Sequence, residues 1–278
     1  MRGEKNMRPE ISVIMAVYRE ELSQMKESIQ SILCQSFKNF EFIIVLDNPK
    51  SKKRRELLEQ FQELDSRIKI IVNSGNLGLA TSLNHALVVS RGKFIARMDA
   101  DDISLPTRLE EQYREYVRMP ECFLFCWAVF IDEKGVTVSN FEPETRKFSS
   151  ISSSIFSSHF LLHPSLFTSR DLLVSFGYDD SFLRSQDFDL WLRAIAANVT
   201  FRVLPKTLLK YRIPCKSSWP ARLKRMRNYA KYSIRVMQKN YPHYRRSFEY
   251  WKRLGYYMLY YPFLLLASAL VKMIPARK

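Results

Sequence analysis

The feature that most constrains this chain is the repeated alternation, through its first half, of short apolar runs with longer segments of helical periodicity. Ile11-Ser12-Val13-Ile14-Met15-Ala16-Val17 has no polar face and reads as a strand covered on both sides. A helix follows over roughly Ser23 to Gln35, with Met25, Ile29, Ile32 and Leu33 as its apolar stripe. Phe40 to Leu46 is a second strand, followed by a helix striped by Leu57, Leu58, Phe61 and Leu64. Ile68 to Val72 and Leu79 to Val89 make a third pair, and Phe94 to Met98 leads to a helix from about Pro106 to Met119. Fully buried strands separated by helices require an α/β fold, a mostly parallel sheet with helices on both faces.

In such sheets ligands sit beyond the carboxyl ends of the strands, near the point where strand order reverses. The strand exits here are Tyr18-Arg19-Glu20, Asp47-Asn48, Asn73-Ser74-Gly75-Asn76 and Asp99-Ala100-Asp101-Asp102. All are polar and three carry carboxylates. None contains the glycine pattern of a dinucleotide fold or a P-loop, which argues against an oxidoreductase or a P-loop enzyme.

Three acids in four residues repel one another unless a cation compensates, and hard divalent ions prefer oxygen ligands. The alternative is a solvated turn in which Asp102 caps the next helix. At the exit of a parallel strand the metal reading prevails, with Mg²⁺ or Mn²⁺ held by one or two of these carboxylates. Here the chain resembles the inverting family 2 nucleotide-sugar glycosyltransferases, enzymes of GT-A fold with a DxD motif. The resemblance runs from about Ile11 to Arg212. It rests in order on Ser12 to Tyr18, Gln35-Ser36-Phe37, Asp47, Gly75-Asn76-Leu77-Gly78-Leu79 with Leu83-Asn84, Met98 to Asp102, His163-Pro164-Ser165, and Gln186-Asp187-Phe188-Asp189-Leu190-Trp191.

The resemblance implies that Tyr18, Glu20, Asp47, Asn76, Asp99 and Asp102 bind a nucleotide sugar, a UDP-sugar in most members. It implies that Asp99 and Asp101 hold the metal, with His163 a further candidate ligand. His163 otherwise touches diphosphate or acceptor, or is a satisfied structural histidine. Many members carry Asn where this chain has Arg19, and an Asp-rich turn where it has Asp47-Asn48-Pro49. Asp187 begins a helix, where backbone N–H groups and the helix dipole hold a carboxylate. By resemblance it is the general base, a role worth about 10²–10⁴-fold in rate. Asp189, two residues on, reads as structural. One base and one metal imply a single displacement with inversion. The bacterial cell-surface polysaccharide enzymes of this kind suggest a saccharide acceptor, lipid-linked.

Composition enters through its asymmetry. From Cys215 to the C-terminus the chain carries 15 of its 44 basic residues but only Glu249 of its 28 acidic ones, so this segment holds nearly all of the net charge of +16. Residues 1–214 therefore read as the catalytic domain, with a nucleotide-sugar half to about 104 and an acceptor half over 105–214. Residues 215–278 read as a helical, basic, amphipathic tail meeting an anionic membrane surface through 216–278. Gly255 to Val271 lacks charge; as a helix it would span about 26 Å, short of a ~30 Å hydrocarbon core, and it opens with tyrosines. These features place the protein on the cytoplasmic side of the cell membrane, peripheral or interfacially anchored, since no apolar leader follows Met1 to Pro9. No motif supports nucleic-acid binding. Cys122 and Cys126 read as core residues, and none of the four cysteines forms a CxxC pair. A Ser-rich stretch, Ser149 to Ser158, follows a hairpin around Asp132-Glu133-Lys134-Gly135. Two alternatives share this architecture: a sugar-1-phosphate nucleotidyltransferase, which should carry a glycine-rich basic loop after its first strand, and a non-catalytic scaffold.

Overall fold

The computed structural model describes residues 8–142, 161–214 and 218–273, so Cys215, His159 and the Ser149–Ser158 stretch lie outside it. Side chains are described as far as residue 265. Strands β1 (Ile11–Val17), β2 (Phe40–Leu46), β3 (Ile68–Val72) and β4 (Phe94–Asp99) alternate with helices α1 (Leu22–Leu33), α2 (Lys52–Leu64) and α3 (Leu79–Val89). All three pairings among these strands are parallel. Every residue of β2 is buried, as a strand covered on both faces requires.

A second set extends the sheet. It comprises β5 (Ile103–Ser104), α4 (Arg108–Arg118), β6 (Cys122–Ile131), β7 (Thr137–Phe141), β8 (Phe167–Ser169), α5 (Arg170–Phe176), α6 (Gln186–Ala196) and β9 (Thr200–Arg212). The order is β3-β2-β1-β4-β8-β6-β9-β5, with β7 beside β6 in the expected hairpin. Ile103 and Ser104 pair antiparallel with β9, so the residues after the acid cluster are strand and α4 begins only at Arg108. Cys122 and Cys126 are buried in β6. Gly92 sits so close to β1 that a Cβ there would lie 2.5 Å from the Ser12 nitrogen.

Strand order reverses at β1, which lies between β2 and β4. Ala16 is in register with Asp99, so the exits of β1 and β4 adjoin. This is the crevice where an open α/β sheet binds its ligand.

Two apolar layers cover the sheet. On one face Val13, Met15, Phe42 and Ile44 pack with Met25 and Ile29 of α1, Leu58 and Phe61 of α2, and Leu109 of α4. On the other, Ile14, Ile43 and Val45 share a core with α3 and α6 and with two C-terminal helices, α7 (Trp219–Tyr244) and α8 (Phe248–Met273). Leu223, Ala230, Ile234, Val236, Met237, Tyr244, Tyr250, Tyr257 and Leu264 all belong to that core. The boundary near 214 therefore separates elements along the chain but not hydrophobic cores. Asp189 fixes the attachment: it is fully buried, and its carboxylate accepts from Arg193 Nε at 2.7 Å, Lys239 Nζ at 3.0 Å and Asn240 Nδ2 at 3.0 Å. Its structural role matches the sequence reading. Among the described residues no helix is long and apolar enough to cross a membrane.

Candidate active site

The loop leaving β1 is set by its own backbone and by α2. Tyr18 N donates to Glu20 Oε2 at 2.7 Å, and Arg54 donates through Nε and Nη2 to the Glu20 carbonyl at 3.1 and 2.7 Å. Asn76 Nδ2 donates to Tyr18 Oη at 2.9 Å, so two expected nucleotide-binding residues from different strand exits meet. Asp47, 3% exposed, accepts from Asn73 Nδ2 and Leu77 N through Oδ1, both at 2.8 Å, and from Gly78 N through Oδ2 at 2.9 Å. Its carboxylate thus builds the turn that opens α3. Gly78 has a φ of 90°, a conformation glycine adopts freely.

Asp99, Asp101 and Asp102 place carboxylate oxygens within 4.8 Å of one another. Ser28 of α1 donates to the Asp99 carbonyl at 2.8 Å. Gln35 anchors the segment that joins the acid cluster to α4, donating to the Leu105 carbonyl at 2.8 Å and accepting from Leu109 N at 3.0 Å. That is the physical work of the Gln35-Ser36-Phe37 motif. Arg212, at the end of β9, donates its backbone N–H to Asp102 Oδ1 at 2.7 Å and its Nε to the Asp101 carbonyl at 2.7 Å. Its guanidinium also reaches the Asp132 and Glu133 carbonyls and Glu27 Oε2.

Burial, with Asp99 and Glu20 nearby, pushes the Asp101 carboxyl up to about 7. Burial, Asp99 and Asp101 push Asp102 well above the usual carboxylate range. Glu20 is raised chiefly by burial. Asp102 Oδ2 has no hydrogen-bond partner. One cation does serve the cluster: Arg97, fully buried, contacts Asp99 Oδ1 through Nη2, while its Nε and Nη1 have no partner. Three close carboxylates, the buried Asp102 among them with an orphaned oxygen, form an all-oxygen donor set that fits a hard divalent cation.

Asp99 and Asp187 line one cavity of about 290 Å³, together with Arg97, His163, Gln186 and Trp191. Asp187 is the second residue of α6, and its Oδ1 accepts from Phe188 N at 2.8 Å. The preceding Ser185 takes a left-handed φ of 60°, which turns the chain sharply into the helix. His163 lies in the cavity wall, in a single 3₁₀ turn, with Nε2 2.8 Å from Tyr178 Oη. Asn84 holds Tyr178, donating to its carbonyl at 2.8 Å and accepting from its N–H at 2.9 Å. Burial and the nearby Arg97 keep His163 neutral at physiological pH. The structure does not bring His163 into the acid cluster.

The model of a family described as glycosyl transferase family 2 matches residues 12–175. The chain belongs to this family. An uncharacterized glycosyltransferase of Methanocaldococcus jannaschii is 40% identical over 272 residues, 98% of this chain and 93% of its own. The O-antigen biosynthesis glycosyltransferase WbnJ of Escherichia coli is 36% identical over 82% of this chain and 89% of its own. Among solved structures, S. aureus TarS 1-349 in complex with UDP-GlcNAc superposes with a TM-score of 0.67 at 18% identity, covering 90% of this chain and 71% of that one. At that identity the likeness establishes the fold, which is the GT-A fold.

This family 2 glycosyltransferase carries site residues that sequence reasoning missed. Arg97 carried a signal: a basic residue inside an apolar strand, two positions before Asp99 and so on the same face. Tyr178 and Arg212 stand in ordinary contexts and are found only through tertiary contacts. The cavity wall also contains Tyr229 from α7 and Arg253 and Tyr257 from α8, which the charge asymmetry assigns to a tail.

Proposed function

We propose that the protein is an inverting glycosyltransferase that moves a sugar from a nucleotide-diphosphate sugar, a UDP-sugar in the first instance, to a lipid-linked saccharide in cell-surface polysaccharide synthesis. The observation that carries this reading is the single cavity shared by Asp99, at the exit of β4, and Asp187, at the start of α6. Tyr18, Glu20, Asn76 and the turn built by Asp47 lie at the strand exits on the nucleotide side. Asp99 and Asp101 would hold Mn²⁺ or Mg²⁺, which neutralises charge on a departing diphosphate. Asp102, tied to Arg212, acts by shaping the loop.

The acceptor hydroxyl attacks the anomeric carbon, forming the new C–O bond as the bond to the diphosphate oxygen breaks. Asp187 takes the hydroxyl proton, and the nucleoside diphosphate leaves. His163 lies apart from the three acids, with its Nε2 held by Tyr178, so in this reading it contours the cavity instead of ligating metal.

The membrane side of the proposal rests on the C-terminal helices. Helix α8 exposes Trp251, Tyr256, Met258, Leu259, Phe263 and Leu265, and α7 exposes Arg222, Lys224, Arg225, Lys231 and Arg235. Apolar side chains beside a basic helix suit an anionic bilayer surface at the cytoplasmic face, each cation adding about 1 kcal/mol near the lipid.

The test is nucleotide release from a panel of UDP-, GDP- and CDP-sugars with a membrane extract as acceptor, for wild type and Asp187→Asn. Sugar transfer from one donor that falls about 10²–10⁴-fold in the variant is the expected result. Transfer that survives Asp187→Asn, or a product that retains the donor's anomeric configuration, would overturn the assignment of the base.

A further inference from the structure

We propose that Arg253, with Tyr257 and Tyr229, forms a subsite for a phosphate carried by the acceptor, and so ties the C-terminal helices to substrate choice. This inference rests on the glycosyltransferase reading of the cavity. Arg253 lies one helical turn into α8 and lines the same cavity as Asp187. Its guanidinium carbon sits 4.7 Å from the Tyr257 ring centroid and 5.4 Å from that of Tyr256, a clamp of neighbours three and four residues on. Nη2 donates to Tyr257 Oη at 2.9 Å, and Tyr257 Oη donates to Tyr229 Oη at 3.4 Å. Burial raises the Tyr229 hydroxyl well above its ordinary range, so it stays protonated.

The arrangement holds a cation rigidly without neutralising it. The acid closest in sequence, Glu249, pairs with Lys252 instead, at 4.0 Å. Among the described residues no carboxylate forms an ion pair with Arg253. A half-buried guanidinium has five N–H donors in a planar fork that matches phosphate oxygens, and a cation withdrawn from water gains most from an anion. Arg97, the other arginine of the cavity, is fully buried and contacts Asp99 through Nη2.

Position suggests where the phosphate comes from. One to three turns beyond Arg253, the same helix exposes Met258, Leu259, Phe263 and Leu265. A phosphate between a saccharide and a lipid tail would place its oxyanion at Arg253, its tail toward these exposed apolar side chains, and its sugar toward Asp187.

The test titrates the full-length protein by calorimetry with farnesyl phosphate, farnesol, glucose 6-phosphate and glucose, and separately with UDP in Mn²⁺. The same titrations are run on Arg253→Gln and Arg253→Lys. Farnesyl phosphate should bind more tightly than farnesol, and Arg253→Gln should weaken it about tenfold or more while leaving UDP affinity unchanged. Arg253→Lys, which keeps the charge and loses the fork, should fall between. Farnesyl phosphate bound more tightly than glucose 6-phosphate assigns the phosphate to a lipid linkage; equal affinity assigns it to the saccharide. Equal binding of farnesyl phosphate and farnesol, or an Arg253→Gln protein that binds the phosphates as wild type does, would overturn the subsite. So would a parallel loss of UDP affinity, which would give Arg253 to the donor diphosphate. Arg253-dependent phosphate binding in a protein that fails to bind UDP would support the subsite and count against the donor reading alone.

Discussion

Replacing Asp47 by Asn tests how the turn that opens α3 is built. The wild-type carboxylate accepts three hydrogen bonds, two at Oδ1 from Asn73 Nδ2 and Leu77 N and one at Oδ2 from Gly78 N. An amide has one acceptor end. With its oxygen at the Oδ1 position its NH₂ faces the Gly78 N–H, and flipped it faces two donors. The better orientation still loses one charge-assisted bond at a site only 3% exposed, a cost of about 1.5–3 kcal/mol. Asp47→Ala removes all three and costs about 3–5 kcal/mol, less if water enters. Urea unfolding followed by tryptophan fluorescence measures both, and UDP titration follows the turn itself. Stability and UDP affinity should fall together, in the order wild type, Asn, Ala. If Asp47→Asn unfolds at the wild-type urea concentration, the turn does not depend on these bonds. If it keeps stability and loses only UDP, the carboxylate acts on the nucleotide directly.

Three further outcomes are expected of the site and the core. With Asp101 raised to about 7, a metal ion must displace a proton below that pH, so Mn²⁺ affinity should be about tenfold weaker at pH 6 than at pH 8; a pH-independent titration would refute this. The same shift has the opposite effect on metal-free stability, because the folded state holds a proton that the unfolded chain releases above its ordinary value of 3.8. Stability without metal should therefore decline as pH rises from about 4 to 7, measured as the urea midpoint across that range. Truncation after residue 214 removes Leu223, Ile234, Met237 and Tyr250 from the shared core and strips Asp189 of Lys239 and Asn240. The shortened chain should be less stable than the full chain or insoluble, whereas an independent tail would leave its unfolding unchanged.

The first half of the fold was legible because β1 and β2 are buried on both faces and the edge strand β3 is a short run rich in Ile and Val, so composition marks them: β1, β2, β3 and α3 have the bounds the periodicity predicts. Helix ends were less legible where side chains leave the helical pattern for other work. Gln35, read as the end of α1, instead spends its amide on the loop after the acid cluster. Ile103 and Ser104, too short a pair to carry a strand pattern, pair with β9 across more than a hundred residues of sequence. The acid cluster was visible as a local motif, whereas Arg212 and Tyr178 act through contacts that no local pattern encodes. Charge asymmetry marked the C-terminal segment as basic, and Trp219–Tyr244 and Phe248–Met273 within it are helical. It could not reveal that the buried face of those helices completes the cavity wall, because an amphipathic stripe looks the same whether it meets lipid or protein.

Calorimetric titration of UDP with and without Mn²⁺, for wild type and Asp101→Ala, probes the proposed metal-assisted nucleotide site at its metal ligand. UDP should bind the wild type only in the presence of Mn²⁺ and should not bind the variant. Tight UDP binding without metal, or metal-dependent binding that survives Asp101→Ala, would contradict this.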